Sequence, residues 1–336
     1  MKKIRAVNLG GWFVLERWMK PSILDDNFVD GNDETRFSEQ VVDKEQIMYD
    51  HYKTWITRSD IEWLKGVGVN LVRIPIPWWL YGEEPYVRSV KHLDDALEMI
   101  SEVGMDFMLD LHTAPGCQNG FDNGGIQGVL EWPNDVKNIE LTIQVLEKIS
   151  KRYKDYPHFH SLGLLNEPFV SIDLDIVMNF HLEAYKRVRK ILPDKYIVFH
   201  DSFRLNAWEE FFKNNDFHKV ILDTHMYQCF DSHIHHKMSI EEHVEEALKR
   251  KSKIAKIEEY VPVIVGEWSL GLRYNEFITD ETHNLAMARY ASAQLESMKE
   301  CTGHVFWSYK VENQYSGWNF RALVDNKIIK IEEFLK

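Results

Sequence analysis

Eight short apolar runs, each followed by a helical pattern or a long loop, constrain the fold of this 336-residue chain most strongly. The runs are almost continuously apolar, which is typical of parallel strands covered on both faces. They lie at residues 5–10, 69–75, 106–112, 160–167, 196–201, 219–225, 261–267 and 303–309. This alternation predicts a single α/β domain, residues 1–336, folded as one (β/α)8 TIM barrel.

The segments between the runs have the periodicity of amphipathic helices. Ser239, followed by Glu242 three residues later, is typical of a helix N-terminus. Two further segments, 92–104 and about 279–300, each repeat apolar residues on one helical face: Leu93, Ala96, Leu97, Ile100 and Val103 in the first, and Leu285, Ala288, Ala291 and Leu295 in the second. A doubly wound open sheet is the alternative fold, but no G-x-G-x-x-G motif follows the first run to support it.

Charge and cysteine content exclude several classes of partner. The chain has 40 Lys and Arg against 53 Asp and Glu, a net charge of −13, which argues against nucleic acid or an anionic membrane as a partner. Three widely separated cysteines predict neither a disulfide framework nor a zinc site. The N-terminal "MKKIRAVNLGGW" lacks the apolar core of a secretory signal, so we expect a cytoplasmic monomer, or a secreted protein if a signal has been removed.

Polar or aromatic side chains follow six of the predicted strands. Arg73 ends the second strand, His112 the third, Asn166 and Glu167 the fourth, His225 and Tyr227 the sixth, Glu267 the seventh and Trp307 the eighth. For any one of them a structural role is the commoner explanation, because buried polar groups usually satisfy neighbouring groups. All of them at the C-terminal end of one barrel predict an active site.

Two carboxylates on opposed strands favour glycoside hydrolysis. One carboxyl group protonates the leaving oxygen, and in a retaining enzyme the other attacks the anomeric carbon from about 5–5.5 Å away. Glu167 and Glu267 are these carboxylates, and Arg73 is expected to keep the pKa of the ionised one low. The other polar and aromatic side chains are expected to bind the sugar: Asn166 at the 2-hydroxyl, Trp307 under the ring, and His112, His225 and Tyr227 as hydrogen-bond donors.

Seven ordered motifs resemble glycoside hydrolase family 5, most closely its exo-β-1,3-glucanase branch. They are "NLGGWFVLE" (8–16), "WITRSDIEWLKGVGVNLVRIPIPWW" (55–79), "LDLHTAPGCQNGFDNGG" (109–125), "LLNEP" (164–168), "DTHMYQCF" (223–230), "VGEWS" (265–269) and "VFWSYKVEN" (305–313). The resemblance implies a retaining enzyme that acts on a β-gluco-oligosaccharide or β-glucoside, with no cofactor and no metal.

The resemblance also implies individual roles. Glu167 would be the general acid/base and Glu267 the nucleophile. Four further residues would contact the sugars: Glu16 would bind the terminal glucose, Asn123 would lie near the site, and Phe121 and Phe230 would sandwich the next sugar.

One departure from the family leaves the substrate open. Only 40 residues separate Glu267 from Trp307, whereas the secreted fungal glucanases carry a longer, cysteine-containing insertion there. An endo-acting β-1,4-glucanase or mannanase is therefore an alternative within the family. A carbohydrate-binding protein that has lost catalysis is an alternative of another class, and transglycosylation would use the same residues.

Two further stretches attract attention but predict no chemistry of their own. "DSHIHH" (231–236) matches no tetrahedral zinc pattern, and we expect it to be a loop beside the substrate entrance, without a metal. Cys117 and Cys229 are expected to be small buried apolar residues rather than nucleophiles.

Overall fold

A computed structural model of the chain describes residues 2–272, 280–312 and 316–336. Eight parallel strands pair in chain order and close into a barrel, with β1 hydrogen-bonded to β8. The strands are β1 (Ile4–Asn8), β2 (Leu71–Ile76), β3 (Asp106–Leu111), β4 (Phe159–Gly163), β5 (Tyr196–His200), β6 (Val220–His225), β7 (Val263–Trp268) and β8 (Gly303–Phe306). The predicted (β/α)8 barrel is therefore confirmed.

Helices follow every strand of the barrel. They are α1 (Pro21–Asp25), α2 (Glu34–Gln40), α3 (Lys44–Thr54) and α4 (Arg58–Gly66) after β1, α5 (Val90–Val103) after β2, α6 (Val136–Tyr153) after β3, α7 (Leu174–Arg189) after β4, α8 (Glu209–Lys213) after β5, α9 (Ile240–Glu258) after β6, α10 (Asp280–Ser297) after β7, and α11 (Phe320–Asp325) and α12 (Ile331–Phe334) after β8. In the described part of the chain, no helix has the length and apolar character needed to cross a membrane.

Local sequence accounts for several helix boundaries. Ser239 and Glu242 form the predicted capping box at the start of α9. Helix α5 ends at Gly104, whose φ of 75° is the left-handed conformation that glycine adopts without strain. One prediction for α10 is wrong: Leu285 is 64% exposed, so it lies on the solvent side of the helix.

Several predicted strand ends differ from the structure. Strand β4 ends at Gly163 and β8 at Phe306, so Asn166, Glu167 and Trp307 lie in the segments that follow. Arg73 is the third residue of β2 rather than its last, and therefore lies deeper in the barrel than predicted. Asn313, the last residue of the predicted motif 305–313, and residue 279, the first of the predicted helix 279–300, lie outside the described residues.

The barrel interior is built in layers, because alternate residues of a strand face the same side of the sheet. The lower layer is an apolar cluster of Ile4, Ala6, Leu71, Met108, Val198, Ile221, Ile264 and Val305. Two residues further along their strands, Asn8, Arg73, Asp110 and Asp223 lie on the same interior face and are buried. The polar layer of the site thus rests directly on a dry apolar layer.

Candidate active site

Arg73 occupies the centre of the polar layer. Its guanidinium group donates to Asn8 Oδ1 at 2.8 Å and to Glu267 Oε1 at 3.0 Å through Nη1, and to Asn166 Oδ1 at 2.8 Å through Nη2. Nη2 also lies 3.0 Å from Asp110 Oδ2. Burial by itself would lower the pKa of Arg73, but the surrounding carboxylates raise it, so this cation stays charged.

Two buried aspartates that we did not predict complete this layer. Asp110 on β3 accepts from His112 Nδ1 at 2.8 Å, and Asp223 on β6 accepts from the amide of Gly266 at 2.8 Å. Glycine stands opposite each of them because a Cβ on Gly163 would collide with the Asp110 carboxylate, and one on Gly266 with that of Asp223. The chain therefore makes room inside the barrel for the negative charges that surround Arg73.

A β-bulge in β7 turns Glu267 towards the barrel interior. Thr224 pairs with Val265 and His225 pairs with Glu267, so β7 carries one extra residue at this point. Val265 and Trp268 both belong to the core between sheet and helices. The two residues between them therefore both face inwards, as expected where a bulge re-aims a side chain.

Glu267 accepts a hydrogen bond on each of its oxygens. Arg73 donates to Oε1 at 3.0 Å and the Tyr227 hydroxyl donates to Oε2 at 2.9 Å. The carboxyl group is 3% exposed, so few other donors can reach it. Two donors facing two oxygens are the pattern of an ionised carboxylate, the form that a nucleophile needs.

Glu167 lies across His225 from Glu267. Its Oε1 is 2.7 Å from His225 Nδ1, and its Oε2 accepts from Asn123 Nδ2 at 3.0 Å. The same His225 Nδ1 is 3.5 Å from Glu267 Oε2. The sum of those two distances, 6.2 Å, is the greatest separation that these two carboxylate oxygens can have. Both carboxyl groups therefore face the same imidazole nitrogen.

The pKa shifts of Glu167 and Glu267 differ from our expectation. Burial would raise the pKa of Glu167, but the hydrogen bond and charge of His225 outweigh it and the pKa is lowered. Burial and the charge of Glu167 raise the pKa of Glu267, although His225 and Arg73 act against them. Our prediction that Arg73 would keep this pKa low was therefore wrong in net effect, because Glu267 is fully enclosed.

The pKa of His225 is raised although the residue is fully buried. Burial by itself would lower its pKa, but Glu267, Asp223 and Glu167 together raise it well above the usual range. Its Nε2 lies 3.5 Å from Asp223 Oδ2, so carboxylates flank both ring nitrogens. Protonated His225 beside ionised Glu167 holds the same number of protons as neutral His225 beside protonated Glu167.

Two more predicted residues form the floor of the site. The His112 ring stacks on the Trp307 indole, with centroids 5.5 Å apart and planes 7° from parallel. His112 Nδ1 faces Asp110, and its Nε2 has no hydrogen-bond partner among the described residues. In the same described part of the chain, Asn166 Nδ2 is also buried without a partner. These two nitrogens are the free polar atoms expected where a sugar binds.

Glu16 lies near the two glutamates of the site. It is 3% exposed, and its Oε2 accepts from Trp18 Nε1 at 2.9 Å while its Oε1 has no partner among the described residues. Burial raises its pKa well above the usual range, and the charges of Asp122, Glu267 and Glu167 add to this effect. The predicted sugar-binding carboxyl group therefore has an oxygen available for a ligand hydroxyl.

The two predicted sandwich residues are on different loops. Phe121, in the loop after β3, is 38% exposed and packs edge-on against Phe169. Phe230, in the loop after β6, is 73% exposed and contacts Tyr227 and Trp318. Their exposure agrees with a role at the site entrance, and their contact with a sugar stays a prediction.

The described residues bring one set of possible metal ligands together: atoms of Glu167, His200 and His225 lie within 4.8 Å of one another. His200 Nδ1 accepts from the Ser202 amide at 3.0 Å, which assigns the ring proton to Nε2. His225 Nδ1 is engaged by Glu167. His200 Nε2 is thus a hydrogen-bond donor, and His225 Nδ1 already contacts Glu167. This arrangement suits proton transfer better than the binding of a metal cation.

The two remaining predictions concern the histidines of 231–236 and the burial of Cys117 and Cys229. In 231–236, His235 Nδ1 accepts from the Asp231 amide and His236 Nε2 lies 2.8 Å from the Cys229 carbonyl. Cys117 is buried, as predicted, but Cys229 is only partly buried, so that prediction was wrong in degree.

Sequence reasoning missed Asn8, Asp110, Asp223 and His200. A signal was present: each lies inside a predicted strand, two residues after an apolar residue of the lower barrel layer. A charged residue on the inward face of a buried strand needs a buried partner, so Asp110 and Asp223 could have been matched with Arg73.

The sequence of the chain was compared with protein families and with individual known proteins. The sequence profile of Cellulase (glycosyl hydrolase family 5) matches residues 32–313. The chain is 32% identical to "Probable glucan 1,3-beta-glucosidase A" of Emericella nidulans, over 97% of this chain and 90% of that protein. It is 31% identical to "Glucan 1,3-beta-glucosidase" of Schwanniomyces occidentalis, over 96% and 86%.

A solved structure has the same fold over nearly its full length. The rutinosidase from Aspergillus niger superposes with a TM-score of 0.84 at 22% identity, and the match covers 98% of each chain. At that identity the likeness shows the fold alone, whereas the profile covers most of the chain. The chain therefore belongs to glycosyl hydrolase family 5, and it is a retaining glycoside hydrolase.

Proposed function

We propose that this enzyme removes single glucose units from short β-1,3-linked gluco-oligosaccharides and also cleaves simple β-glucosides. The observation that carries the proposal is the pair of buried carboxylates, Glu167 and Glu267, which both contact His225. The similarity to proteins described as glucan 1,3-beta-glucosidases supports glucose as the sugar and 1,3 as the linkage.

The contacts divide the reaction between the two glutamates. Glu267, oriented by Arg73 and Tyr227, attacks the anomeric carbon to form a glycosyl–enzyme ester. Glu167 gives a proton to the departing oxygen, and the proton stored on the Glu167–His225 pair supplies it. In the second step Glu167, now ionised, takes a proton from water, which attacks the same carbon and releases β-glucose.

Release of single units needs a site that is closed beyond the terminal sugar. Glu16 lies near Glu167 and Glu267, and its Oε1, which has no partner among the described residues, would accept hydroxyl groups of a chain end. A carboxyl group in that place favours a sugar with free hydroxyls over one that continues into a chain. This supports exo action.

A second candidate is endo cleavage of a β-1,4-glucan or mannan. The alignment with the Emericella nidulans protein spans 372 positions, more than the 336 residues of this chain, so that relative contains segments which are absent here. The connection between Glu267 and Trp307 is short. A cleft left open by a missing segment would admit the middle of a polysaccharide.

A product profile separates the two candidates. We would incubate the enzyme with β-1,3-, β-1,4- and β-1,6-linked gluco-oligosaccharides, β-manno-oligosaccharides and an aryl β-glucoside, with Glu267→Ala as the blank. Glucose as the first product from 1,3-linked chains supports the proposal. Internal cleavage of 1,4-linked chains would replace it with the endo-acting candidate, and binding without turnover would point to a carbohydrate-binding protein.

A further inference from the structure

Glu167 needs support from outside its own strand. Strand β4 has ended at Gly163, and Glu167 has a φ of 45°, a left-handed conformation that costs energy in a residue other than glycine. Two adjacent residues in the loop after β3, Gln118 and Asn119, supply contacts to this region.

Gln118 ties the backbone on both sides of Glu167. Its buried side chain donates from Nε2 to the carbonyls of His112 and Asn166, each at 2.8 Å. The backbone carbonyl of Gln118 accepts a hydrogen bond from the Phe169 amide at 3.0 Å. One residue therefore fixes the chain directly before Glu167 and two residues after it, and links both to the end of β3.

Asn119 fixes the orientation of the amide that contacts the Glu167 carboxyl group. The Asn119 Oδ1 accepts from the Phe121 amide at 2.9 Å, so its Nδ2 must face Asn123. That Nδ2 donates to Asn123 Oδ1 at 2.8 Å, which leaves Asn123 Nδ2 to donate to Glu167 Oε2 at 3.0 Å. Because an amide has one accepting and one donating side, each contact determines the next.

The donor-to-acceptor direction of the hydrogen bonds from Asn119 through Asn123 to Glu167 matters for proton transfer. A donor facing Glu167 Oε2 stabilises the carboxylate, while a flipped Asn123 would present a carbonyl oxygen, which only a protonated carboxyl group can satisfy. Asn119 thus acts on the charge of Glu167 without touching it. Gln118 acts on the position of the same group through the backbone.

We propose that Gln118 and Asn119 are positioning residues for the acid/base Glu167, acting through the backbone around it and through the Asn123 amide. The proposal rests on the glycosidase activity proposed above. It predicts defects confined to the step in which Glu167 transfers a proton.

The test compares aryl glucosides with poor and good leaving groups. Asn119→Ala and Gln118→Met, which retains most of the side-chain volume, should lower kcat/KM for phenyl β-glucoside by about 10-fold to 100-fold and for dinitrophenyl β-glucoside by much less, because the activated phenolate leaves without a proton. The basic limb of the phenyl β-glucoside pH profile should also move. Circular dichroism and thermal melts identify variants that are not folded.

A double-mutant cycle distinguishes positioning from loss of general structure. In a Glu167→Ala background, Asn119→Ala should cause no further loss on phenyl β-glucoside, because the group that it positions is gone. Equal fold losses in both backgrounds, or on both leaving groups, would overturn the proposal. Asn215→Ala is the control, since the Asn215 side chain also donates to a backbone carbonyl, that of Phe211, but lies after α8 and not beside a predicted site residue.

The two proposals fail separately. If the wild-type enzyme ignores aryl β-glucosides but cleaves aryl β-mannosides or aryl β-cellobiosides, the proposed substrate is wrong. The same leaving-group series on the cleaved glycone then tests Gln118 and Asn119 unchanged, because the proton donor is the same whichever sugar occupies the site.

Discussion

At the scale of single residues, His225 links the two carboxylates that we propose as catalytic. Its Nδ1 lies 2.7 Å from Glu167 and 3.5 Å from Glu267, and its Nε2 faces Asp223. The hydrogen bond and charge of His225 lower the pKa of Glu167 despite its burial, and Glu267, Asp223 and Glu167 raise the pKa of His225 despite its burial. Glu167 and His225 therefore titrate as a pair.

Replacing His225 with Gln should narrow the pH profile from both sides. The wild-type pair loses its proton only as the pH rises through the raised pKa of His225, whereas the variant must hold that proton on a carboxyl group, so the basic limb moves to lower pH. His225 also lowers the pKa of Glu267, so the variant ionises its nucleophile at higher pH and the acid limb moves up. Measuring kcat/KM against pH checks both shifts, with an expected loss of about 10²-fold at neutral pH. A basic limb that stays in place or moves up would contradict the shared proton.

Removing the carboxyl group of Glu167 should separate substrates by leaving group. For Glu167→Ala we expect kcat/KM to fall by about 10³-fold on phenyl β-glucoside and far less on dinitrophenyl β-glucoside, because only the first needs protonation on departure. Glu267→Ala is the control and should lose both activities alike, since no glycosyl–enzyme ester can form. Equal losses for Glu167→Ala on the two substrates would remove its assignment as acid/base.

At the scale of secondary structure elements, the bulge in β7 has the largest effect on the site. It places Gly266 and Glu267 side by side on the interior face, which a regular strand cannot do. The Gly266 amide donates to Asp223 and its carbonyl accepts from Asn8, so this one residue joins the bulge to the polar layer.

Gly266→Ala should therefore damage both stability and activity. The new Cβ would collide with the Asp223 carboxylate, and we expect the free energy of unfolding to fall by about 1–3 kcal/mol, as in other overpacked cores. Because Glu267 is the next residue, kcat/KM should fall as well. Denaturant unfolding and kinetics measure the two effects. The control is Gly66→Ala at the end of α4, where nothing lies within 4 Å of the added Cβ and both quantities should stay near wild type. A stable, active Gly266→Ala variant would mean that the bulge tolerates side chains.

The same elements show how much of the molecule can be predicted from sequence. All eight apolar runs contain strands, and the capping box of α9 is present, because burial on both faces and end-capping leave strong local patterns. The positions at which the strands end were predicted less accurately. Asn166 and Glu167 continue the apolar run of β4 in sequence, but the chain leaves the ladder at Gly163.

The contacts between elements were not predictable from local pattern. Eleven of the twelve predicted site residues lie in the C-terminal half of their strands or in the segments that follow, and Arg73 lies deeper, at the third residue of β2. The partners of Arg73 depend on register across several strands, and the bulge in β7 depends on both of its neighbours. The direction of the pKa shifts in Glu167 and Glu267 depends on His225, which comes from a third strand. These properties arise from the closed barrel and have no local sequence signature.

At the scale of the whole molecule, the closed barrel sets the stereochemistry of the reaction. Strands β4 and β7 come from different parts of the chain, yet Glu167 and Glu267 lie 2.7 Å and 3.5 Å from the same ring nitrogen of His225, and in the proposed mechanism Glu267 rather than water attacks the anomeric carbon. We expect proton NMR of the first product to show the β-anomer of glucose. An initial α-anomer would mean direct displacement by water and would contradict the roles assigned to both glutamates.

The polar layer around Arg73 also affects which inhibitors the enzyme should accept. Four carboxyl groups, those of Asp110, Glu167, Asp223 and Glu267, lie around Arg73 and His225. A sugar mimic with a protonated amine near the anomeric position would enter this field favourably, while a sugar acid or sugar phosphate would meet repulsion from several directions. The site is thus built to recognise positive charge, and iminosugars rather than anionic analogues are the natural starting point for a tight-binding ligand.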